Sequence, residues 1–293
     1  MSEDHSGPPV PGPSVPEPPL LDVLVPTRDR PVELATTLAG LAGQRGVAFR
    51  LVVSDQSDQG ASFDTPAASS LLRVLRLQGR EVHVTRHLPR RGMAEHRAFL
   101  LARASTDYVL FLDDDVWLEP GALARLHAAI TELGCGFVGA AVQGLSYLAD
   151  RRPHELEPYE EWGGPPVPEL VEPGAPAWQR WTLHNAANPT HLAERVPPGQ
   201  WRAYKVAWVG GCVLYNRHAL TATGAFDFWP QLPAEHSGED VLAQQRVMAR
   251  FGGAGVLPTG AYHLESPTTI PDRQVDAAQG LARWVTSPRV NKR

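Results

Sequence analysis

The chain has 293 residues, a hydrophobic fraction of 43% and a formal net charge of -5. This length suits one large α/β domain, or one domain with an elaborated insertion, and the apolar fraction is sufficient for a sizeable core. Nucleic-acid binding depends on a basic surface, so the acidic balance argues against a nucleic-acid partner.

Cysteine usage and the N-terminal sequence indicate the cellular context. Cys135 and Cys212 are the only cysteines, which excludes a disulfide framework or a four-cysteine zinc site and favours a reduced, cytoplasmic protein. Residues 1–19 are rich in Pro, Gly, Ser and acidic residues and lack the hydrophobic core of a signal peptide, so we expect a disordered tail. No apolar run approaches the roughly 20 residues that span a bilayer, although peripheral membrane contact stays open.

Short apolar strands alternate with helices over the first half of the chain. The strand candidates that end at Val25, Val53 and Leu112 each run into a polar loop. This alternation predicts a mostly parallel central sheet flanked by helices, with the three loops meeting in one crevice at the carboxyl ends of the strands. The predicted strands are residues 21–25, 49–53, 81–85 and 108–112, and the predicted helices are residues 32–42, 67–78 and 93–104.

The pattern dissolves between about residues 147 and 205. Prolines, glycines and tryptophans replace any periodicity there, so we interpret this stretch as an irregular insertion over the sheet. A regular pattern returns at residues 206–215. Helices are predicted near residues 217–223 and 239–251.

Three consecutive aspartates, Asp113, Asp114 and Asp115, follow the fully apolar strand candidate at residues 108–112. Like charges a few ångströms apart raise one another's pKa, and a divalent cation among them would relieve the repulsion. Mg²⁺ and Mn²⁺ favour carboxylate oxygens, and Mg²⁺ usually takes its remaining ligands from water and phosphates. A solvated acidic loop is the alternative interpretation, but the position of the run at the predicted crevice favours a metal site.

Seven short stretches occur in a fixed order along the chain, at residues 23–30, 52–55, 92–97, 107–115, 208–212, 224–227 and 238–240. Together they resemble the family 2 glycosyltransferases. The resemblance implies the GT-A fold, a Rossmann-like α/β domain in which an Asp-x-Asp motif holds a divalent metal against the diphosphate of a nucleotide-sugar donor. It further implies an inverting transfer to a hydroxyl of a carbohydrate or other acceptor, with a UDP-sugar favoured as the donor.

The resemblance also suggests how the chain is divided. We expect one glycosyltransferase domain at residues 20–270, with a nucleotide-binding half at 20–145 and an acceptor-binding half at 146–270. Residues 271–293 form a C-terminal segment beyond it. The insertion and this segment are expected to determine acceptor choice, and the sequence names neither the acceptor nor the sugar.

A metal site of Mn²⁺ or Mg²⁺ is implied at the aspartates. Asp115 is expected to be the first ligand, and Asp113 is the other end of the Asp-x-Asp motif. His263 stands where some GT-A enzymes have a third metal ligand, although a structural histidine is the alternative. Asp113 or Asp114 is also expected to face the ribose hydroxyls.

The resemblance assigns further nucleotide contacts to three separate segments. Asp55 is the expected partner of the base, because an ionised carboxylate accepts a hydrogen bond but cannot donate one. An Asx-turn residue in a polar loop is the alternative. Ser54 and Gln56 depart from the family pattern beside it, which usually has an acid and a glycine at these positions. Arg97 is expected at the diphosphate or beside the aspartates, with a structural salt bridge as the alternative. The first loop is expected to wrap the base and ribose through Pro26, Thr27, Arg28 and Arg30.

The catalytic and acceptor-side residues are expected in the second half of the chain. Asp240 is the candidate general base, since inverting transfer needs a carboxylate to take the proton of the acceptor hydroxyl. Glu239 is expected to hold the acceptor or to orient Asp240, and the two assignments could be exchanged. The acceptor side is expected to be lined by Trp208, Gly210 and Gly211, where glycines allow close approach of the backbone.

Three other classes of protein fit the sequence less well. A nucleotidyltransferase on a related fold usually has a glycine-rich loop after its first strand, and residues 26–31 contain no glycine. A phosphatase with an aspartyl nucleophile carries its Asp-x-Asp motif on the first strand, which does not fit the position of Asp113. A degenerate carbohydrate-binding protein is disfavoured by the retention of both the Asp113–Asp115 run and Asp240.

Overall fold

The computed structural model describes residues 18–270 and 273–281. The N-terminal tail predicted at residues 1–19 therefore lies outside the described residues, except for Pro18 and Pro19. The C-terminal segment predicted at 271–293 is described only over residues 273–281. None of the helices within these ranges is long and apolar enough to cross a membrane.

All seven elements predicted for the first half are present, with bounds within three residues of the expected ones. Every position of the first two strands is buried, which explains their near-continuous apolar sequence. The elements are β1 (Leu21–Thr27), α1 (Pro31–Ala42), β2 (Phe49–Asp55), α2 (Pro66–Leu77), β3 (Val82–Arg86), α3 (Met93–Leu101) and β4 (Tyr108–Leu112).

The sequence pattern did not predict the elements that follow the aspartate run. Three of them are strands of two or three residues, which are too short to show an alternation of apolar and polar positions. The fourth is a helix with a well-formed apolar face. These elements are β5 (Val116–Leu118), α4 (Ala122–Leu133), β6 (Phe137–Gly139) and β7 (Gln143–Gly144).

The insertion consists of short 3₁₀ helices at Leu145–Tyr147, Pro153–Leu156 and Pro176–His184, then α5 (Asn188–Ala193) and β8 (Arg202–Tyr204). Within residues 206–215, where a regular pattern was expected to return, a strand begins only at Cys212. Residues 206–211 are irregular, and Gly211 has a φ of +75°, in the left-handed region. The remaining elements are β9 (Cys212–Asn216), α6 (Arg217–Ala222), α7 (Glu239–Phe251), β10 (Gly253–Leu257), β11 (Ala261–His263) and α8 (Ala277–Leu281).

One eight-stranded sheet, in the order β3-β2-β1-β4-β9-β6-β10-β8, forms the centre of the fold. The strands β3, β2, β1 and β4 pair in parallel, while β9 runs antiparallel between β4 and β6. The predicted mostly parallel sheet flanked by helices is thereby confirmed. A smaller sheet, β5-β11-β7, lies beyond the end of β4 and places His263 opposite Val116.

Two hydrophobic clusters cover the two faces of the large sheet. Successive residues of β1 alternate between them, because neighbouring side chains of a strand point to opposite faces. Val23 and Val25 pack with Leu34 and Leu38 of α1, whereas Leu24 packs in the cluster that includes α3 and α7. The strands β1 and β2 are therefore buried on both faces, and their polar side chains lie near the strand ends.

A buried ion pair ties three segments together at the amino ends of the central strands. Asp22 Oδ1 accepts a hydrogen bond from Arg50 Nε at 2.7 Å, and Asp22 Oδ2 accepts from the backbone N–H groups of Ser105 and Thr106 at 2.6 and 3.1 Å. Burial acts to raise the pKa of Asp22, but the bond from Arg50 and the two backbone bonds outweigh it and hold the pKa below its ordinary value.

Replacement of Asp22 by Asn should reduce the free energy of unfolding by about 3 kcal/mol, because it leaves the buried Arg50 without its counter-charge. Because the folded-state pKa of Asp22 is lowered, this stabilisation is present above an unfolded-state pKa of about 3.9 and is lost as the pH falls through the folded-state value. Urea denaturation at pH 7 and pH 3 would measure both effects.

Glu81→Gln is the matched control, since Glu81 is 3.7 Å from the same arginine but 53% exposed. It should change the unfolding free energy little. An Asp22→Asn protein as stable as the unmodified chain at pH 7 would show that the buried pair is not stabilising.

Candidate active site

A cavity of about 640 Å³ opens at the carboxyl ends of β1 and β4. It is the crevice expected from the strand order, since polar loops follow both of these neighbouring strands. Among the predicted site residues only Asp55 is missing from its wall. Those that line it are Pro26, Thr27, Arg28, Arg30, Arg97, Asp113, Asp114, Asp115, Trp208, Gly210, Gly211, Glu239, Asp240 and His263.

The three aspartates form the turn between β4 and β5, and other elements hold the backbone of each. The N–H of Asp113 donates to the carbonyl of Gly211 at 2.9 Å, and the N–H of Leu264 donates to the carbonyl of Asp115 at 2.9 Å. The carbonyl of Asp114 accepts from Thr37 Oγ1 of α1 at 2.7 Å. The aspartate side chains are therefore presented to the cavity by a fixed backbone.

Asp114 is buried, and two side chains from β1 and the loop after it hold its carboxylate. Its Oδ2 accepts from Thr27 Oγ1 at 2.6 Å, and its Oδ1 accepts from Arg30 Nη1 at 3.2 Å. Burial raises the pKa of Asp114 to about 7, and the hydrogen bond from Thr27 opposes the rise. Asp114 therefore links the loop after β1 to the loop after β4.

Asp115 lies between two positively polarised groups. Arg30 Nη1 donates to Asp115 Oδ2 at 2.6 Å, and His263 Nε2 is 3.4 Å from the same oxygen. Burial acts to raise the pKa of Asp115, but the interactions with His263 and Arg30 prevail and lower it. The same contact with Asp115 raises the pKa of His263, so a proton competes with any metal for this imidazole at low pH.

The donor set matches a divalent cation in chemistry, although the side chains face their protein partners. Within residues 18–270 and 273–281, no three potential ligands converge on one point. However, two neighbouring ligand atoms of one octahedral cation lie about 3 Å apart. The distance between Asp115 Oδ2 and His263 Nε2 is 3.4 Å, close to this separation. Asp113, whose side chain is 38% exposed, borders the same cavity. These three side chains fit Mn²⁺ or Mg²⁺ if Arg30 leaves Asp115.

Arg97 connects the aspartate turn to the start of α7. Its Nη2 donates to Asp113 Oδ1 and its Nε donates to Glu239 Oε1, both at 3.1 Å, and only 8% of its side chain is exposed. The guanidinium also lies over the ring of Phe111, 5.5 Å from its centroid. Burial acts to lower the pKa of Arg97, but the charges of Asp113 and Glu239 outweigh it, so the guanidinium stays charged. Both side chains that Arg97 bonds in this ion network are carboxylates.

Asp240 lies at the first turn of α7, where the helix dipole favours an anion. Gly238 precedes the helix with a φ of +75°, and a side chain there would collide with Asp276. Burial and the adjacent charge of Glu239 raise the pKa of Asp240 to about 7, against the opposing effect of Arg97. A carboxylate with such a pKa can exchange a proton near neutral pH.

Trp208 and two glycines form the wall next to this carboxylate pair. A side chain on Gly210 would place its Cβ 3.1 Å from the Trp208 ring, so glycine allows the indole to lie against the backbone. Gly211 has a positive φ and holds the N–H of Asp113 through its carbonyl. The predicted acceptor-side residues are thus brought next to the aspartates.

Asp55 is placed away from the cavity. It is fully buried, with Oδ1 accepting from the N–H of Ser57 at 2.5 Å and Oδ2 accepting from the N–H of Ser62 at 2.6 Å. The described contacts are those of a residue that folds its own loop, and the predicted contact with the base stays a prediction. The next residue, Gln56, lines the cavity instead.

Sequence reasoning missed much of one wall of the cavity. This wall is formed by the irregular segment after β11, which shows no periodicity or motif that could have indicated it. Arg30 Nη2 bonds the carbonyl of Pro267 and thereby attaches this segment to the first loop. Other lining residues without an assigned role are His96, His236, Ser266, Thr268, Thr269, Ile270, Arg273 and Asp276.

The chain matches one protein-family model. The family model described as Glycosyl transferase family 2 matches residues 22–186, which include β1, the aspartate run and part of the insertion. The chain belongs to glycosyl transferase family 2. This membership confirms the resemblance that its motifs indicated. No curated protein sequence matches the chain.

Solved structures agree with this family in fold. The crystal structure of TarS residues 1–349 from S. aureus is 17% identical, with a TM-score of 0.52, and the match covers 83% of this chain and 60% of that one. The same fragment in complex with UDP-GlcNAc is 18% identical with the same TM-score, covering 85% and 60%. The family 2 chain thus has the GT-A fold and spans less than two thirds of these TarS chains.

Replacement of Arg97 by Met should reduce the free energy of unfolding by about 3 kcal/mol, because it leaves Glu239 enclosed without a counter-charge. Arg90→Met is the matched control: Arg90, before α3, pairs with Glu235, before α7, but their side chains are 27% and 33% exposed. It should cost less than about 1 kcal/mol. Chemical denaturation of both variants measures the difference, and equal losses would contradict a special role for the Arg97 bridge.

Proposed function

We propose that the chain transfers a sugar from a nucleoside-diphosphate sugar to an acceptor hydroxyl, with inversion at the anomeric carbon. The observation that carries this proposal is that one cavity contains both the Asp113–Asp115 turn and the Glu239–Asp240 pair. The first group suits a sugar nucleotide, and the second suits activation of a hydroxyl. UDP is the favoured nucleotide, in line with the TarS structure that contains UDP-GlcNAc.

The nucleotide is assigned to the loops after β1 and β4. Asp114 is held by Thr27 and Arg30, so its carboxylate is oriented to accept hydrogen bonds from ribose hydroxyls. A divalent cation held by Asp115, with Asp113 and His263, would neutralise charge on the departing diphosphate. Arg30 borders the same space and supplies a positive charge once it is released from Asp115.

Asp240 is assigned as the general base. It accepts the proton of the acceptor hydroxyl while the hydroxyl oxygen forms its bond to the anomeric carbon. On the opposite side of that carbon, the bond to the diphosphate oxygen breaks and its electrons leave with the nucleoside diphosphate. Asp240 borders the cavity beside Trp208, where an acceptor can approach it.

Arg97 and Glu239 are assigned positioning roles in this reaction. Arg97 is engaged by Asp113 and Glu239, so the guanidinium fixes the separation between the donor-side and acceptor-side carboxylates. A catalytic group gains efficiency only when it is held within hydrogen-bonding reach of the reacting atom. The bridge would therefore keep Asp240 aligned with the sugar held at the aspartate turn.

Replacement of Asp115 by Ala should abolish the Mn²⁺-dependent part of UDP binding, since it removes the predicted first metal ligand. Isothermal titration of UDP with and without Mn²⁺ measures this directly. Glu265→Ala serves as the control, because Glu265 follows His263 by two residues and accepts a hydrogen bond from Ser146 Oγ but does not line the cavity. Unchanged metal-dependent affinity in Asp115→Ala would refute the metal assignment.

Replacement of Asp240 by Asn should leave UDP affinity within about twofold and lower turnover by 100-fold or more, on the order of the contribution of general base catalysis. In the unmodified enzyme the base must be ionised, so kcat/KM should fall as the pH drops through about 7, the raised pKa of Asp240. Release of UDP, coupled to a colorimetric assay over pH 5–9, measures both effects. Near-normal turnover of the Asn variant would move the base elsewhere.

A further inference from the structure

Gln56 lines the cavity directly after the end of β2. It follows β2, and its backbone N–H donates to the carbonyl of Thr27 at 3.0 Å, so the residue lies beside the loop after β1. Its side chain is 3% exposed and lines the cavity. The order β2-β1-β4 puts Gln56 two strand spacings, roughly 10 Å, from the aspartate turn.

The side-chain amide of Gln56 lacks an internal partner for its donor group. In the described part of the chain, Gln56 Nε2 is buried and makes no hydrogen bond. Buried polar groups are rarely left unpaired, because they lose their bonds to water without compensation. The terminal torsion of a glutamine is broad, so the amide can turn toward a bound molecule while the backbone stays fixed.

The neighbouring Asp55 is less well placed to meet a ligand. Each of its oxygens accepts a short hydrogen bond from its own loop, and the residue does not line the cavity. With the ribose assigned to Asp114 and Thr27, a nucleotide that extends away from the aspartate turn along the strand order passes β1 and arrives at β2. At the end of β2, Gln56 lines the cavity.

We infer that Gln56 is a specificity-determining residue that donates its Nε2 hydrogen to a carbonyl oxygen of the donor nucleobase. This inference rests on the proposed function, because it requires a nucleotide in the cavity. A donor at this position favours a base that has an oxo group where cytosine and adenine have an amino group. Uracil is therefore preferred to cytosine. Gln56 thereby supplies a hydrogen-bond donor that a carboxylate at Asp55 cannot supply.

Titration calorimetry with UDP, CDP and inorganic pyrophosphate, each with Mn²⁺, tests the inference. The unmodified protein should bind UDP more tightly than CDP. Gln56→Leu should weaken UDP binding about tenfold, the equivalent of one hydrogen bond of about 1.4 kcal/mol, and leave pyrophosphate binding unchanged. Gln56→Glu should weaken UDP at least as much and reduce the preference for UDP over CDP, because it puts an acceptor where the donor was.

Gln245→Leu is the matched control. Gln245 is also 3% exposed with an unpartnered Nε2, but it does not line the cavity, so its replacement should leave the UDP to CDP ratio unchanged. The Glu variant keeps the side-chain size and provides the same comparison if the Leu variant does not fold. Equal UDP and CDP binding by the unmodified protein, or equal losses for UDP and pyrophosphate in Gln56→Leu, would overturn the inference while nucleotide binding stands. Failure of every nucleotide to bind would overturn the proposed function itself.

Discussion

The arrangement of the site depends on one buried cation. Arg97 is enclosed between Asp113, at the end of β4, and Glu239, at the start of α7, and it bonds both carboxylates at 3.1 Å. Buried charges are tolerated only when they are paired, so the enclosed Arg97 and Glu239 require each other, and the partly exposed Asp113 supplies the second carboxylate. The guanidinium thereby connects the aspartate turn to the first turn of α7 across the cavity.

Neighbouring aspartates in the same turn have opposite environments. Both Asp114 and Asp115 are buried, but burial raises the pKa of Asp114, whereas the interactions of Asp115 with His263 and Arg30 lower its pKa. One sequence motif thus presents a carboxylate suited to a hydrogen-bonded sugar next to one suited to a cation. The difference arises from the partners supplied by β11 and by the loop after β1, which the motif itself does not contain.

The parts of the fold that could be predicted are those with a strong local signal. The apolar runs of β1, β2 and β4 showed both the strands and the polar loops that meet in the cavity. The short strand β5 and the irregular residues 206–211 could not be assigned, because two or three residues carry no period and a glycine pair does not reveal its φ. Gln56 was seen only as a departure from a family pattern, since neither its burial nor its unpartnered amide is visible in a sequence.

The placement of β9 constrains how enzymes of this kind can be recombined. This strand comes from the second half of the chain, yet it pairs on both sides with strands of the first half, β4 and β6. A chimera joined near residue 145 would exchange a central strand along with the rest of the second half. An exchange limited to residues 145–201 would leave every described strand of the large sheet in its parent, so this stretch can be replaced without mixing the strands of two parents.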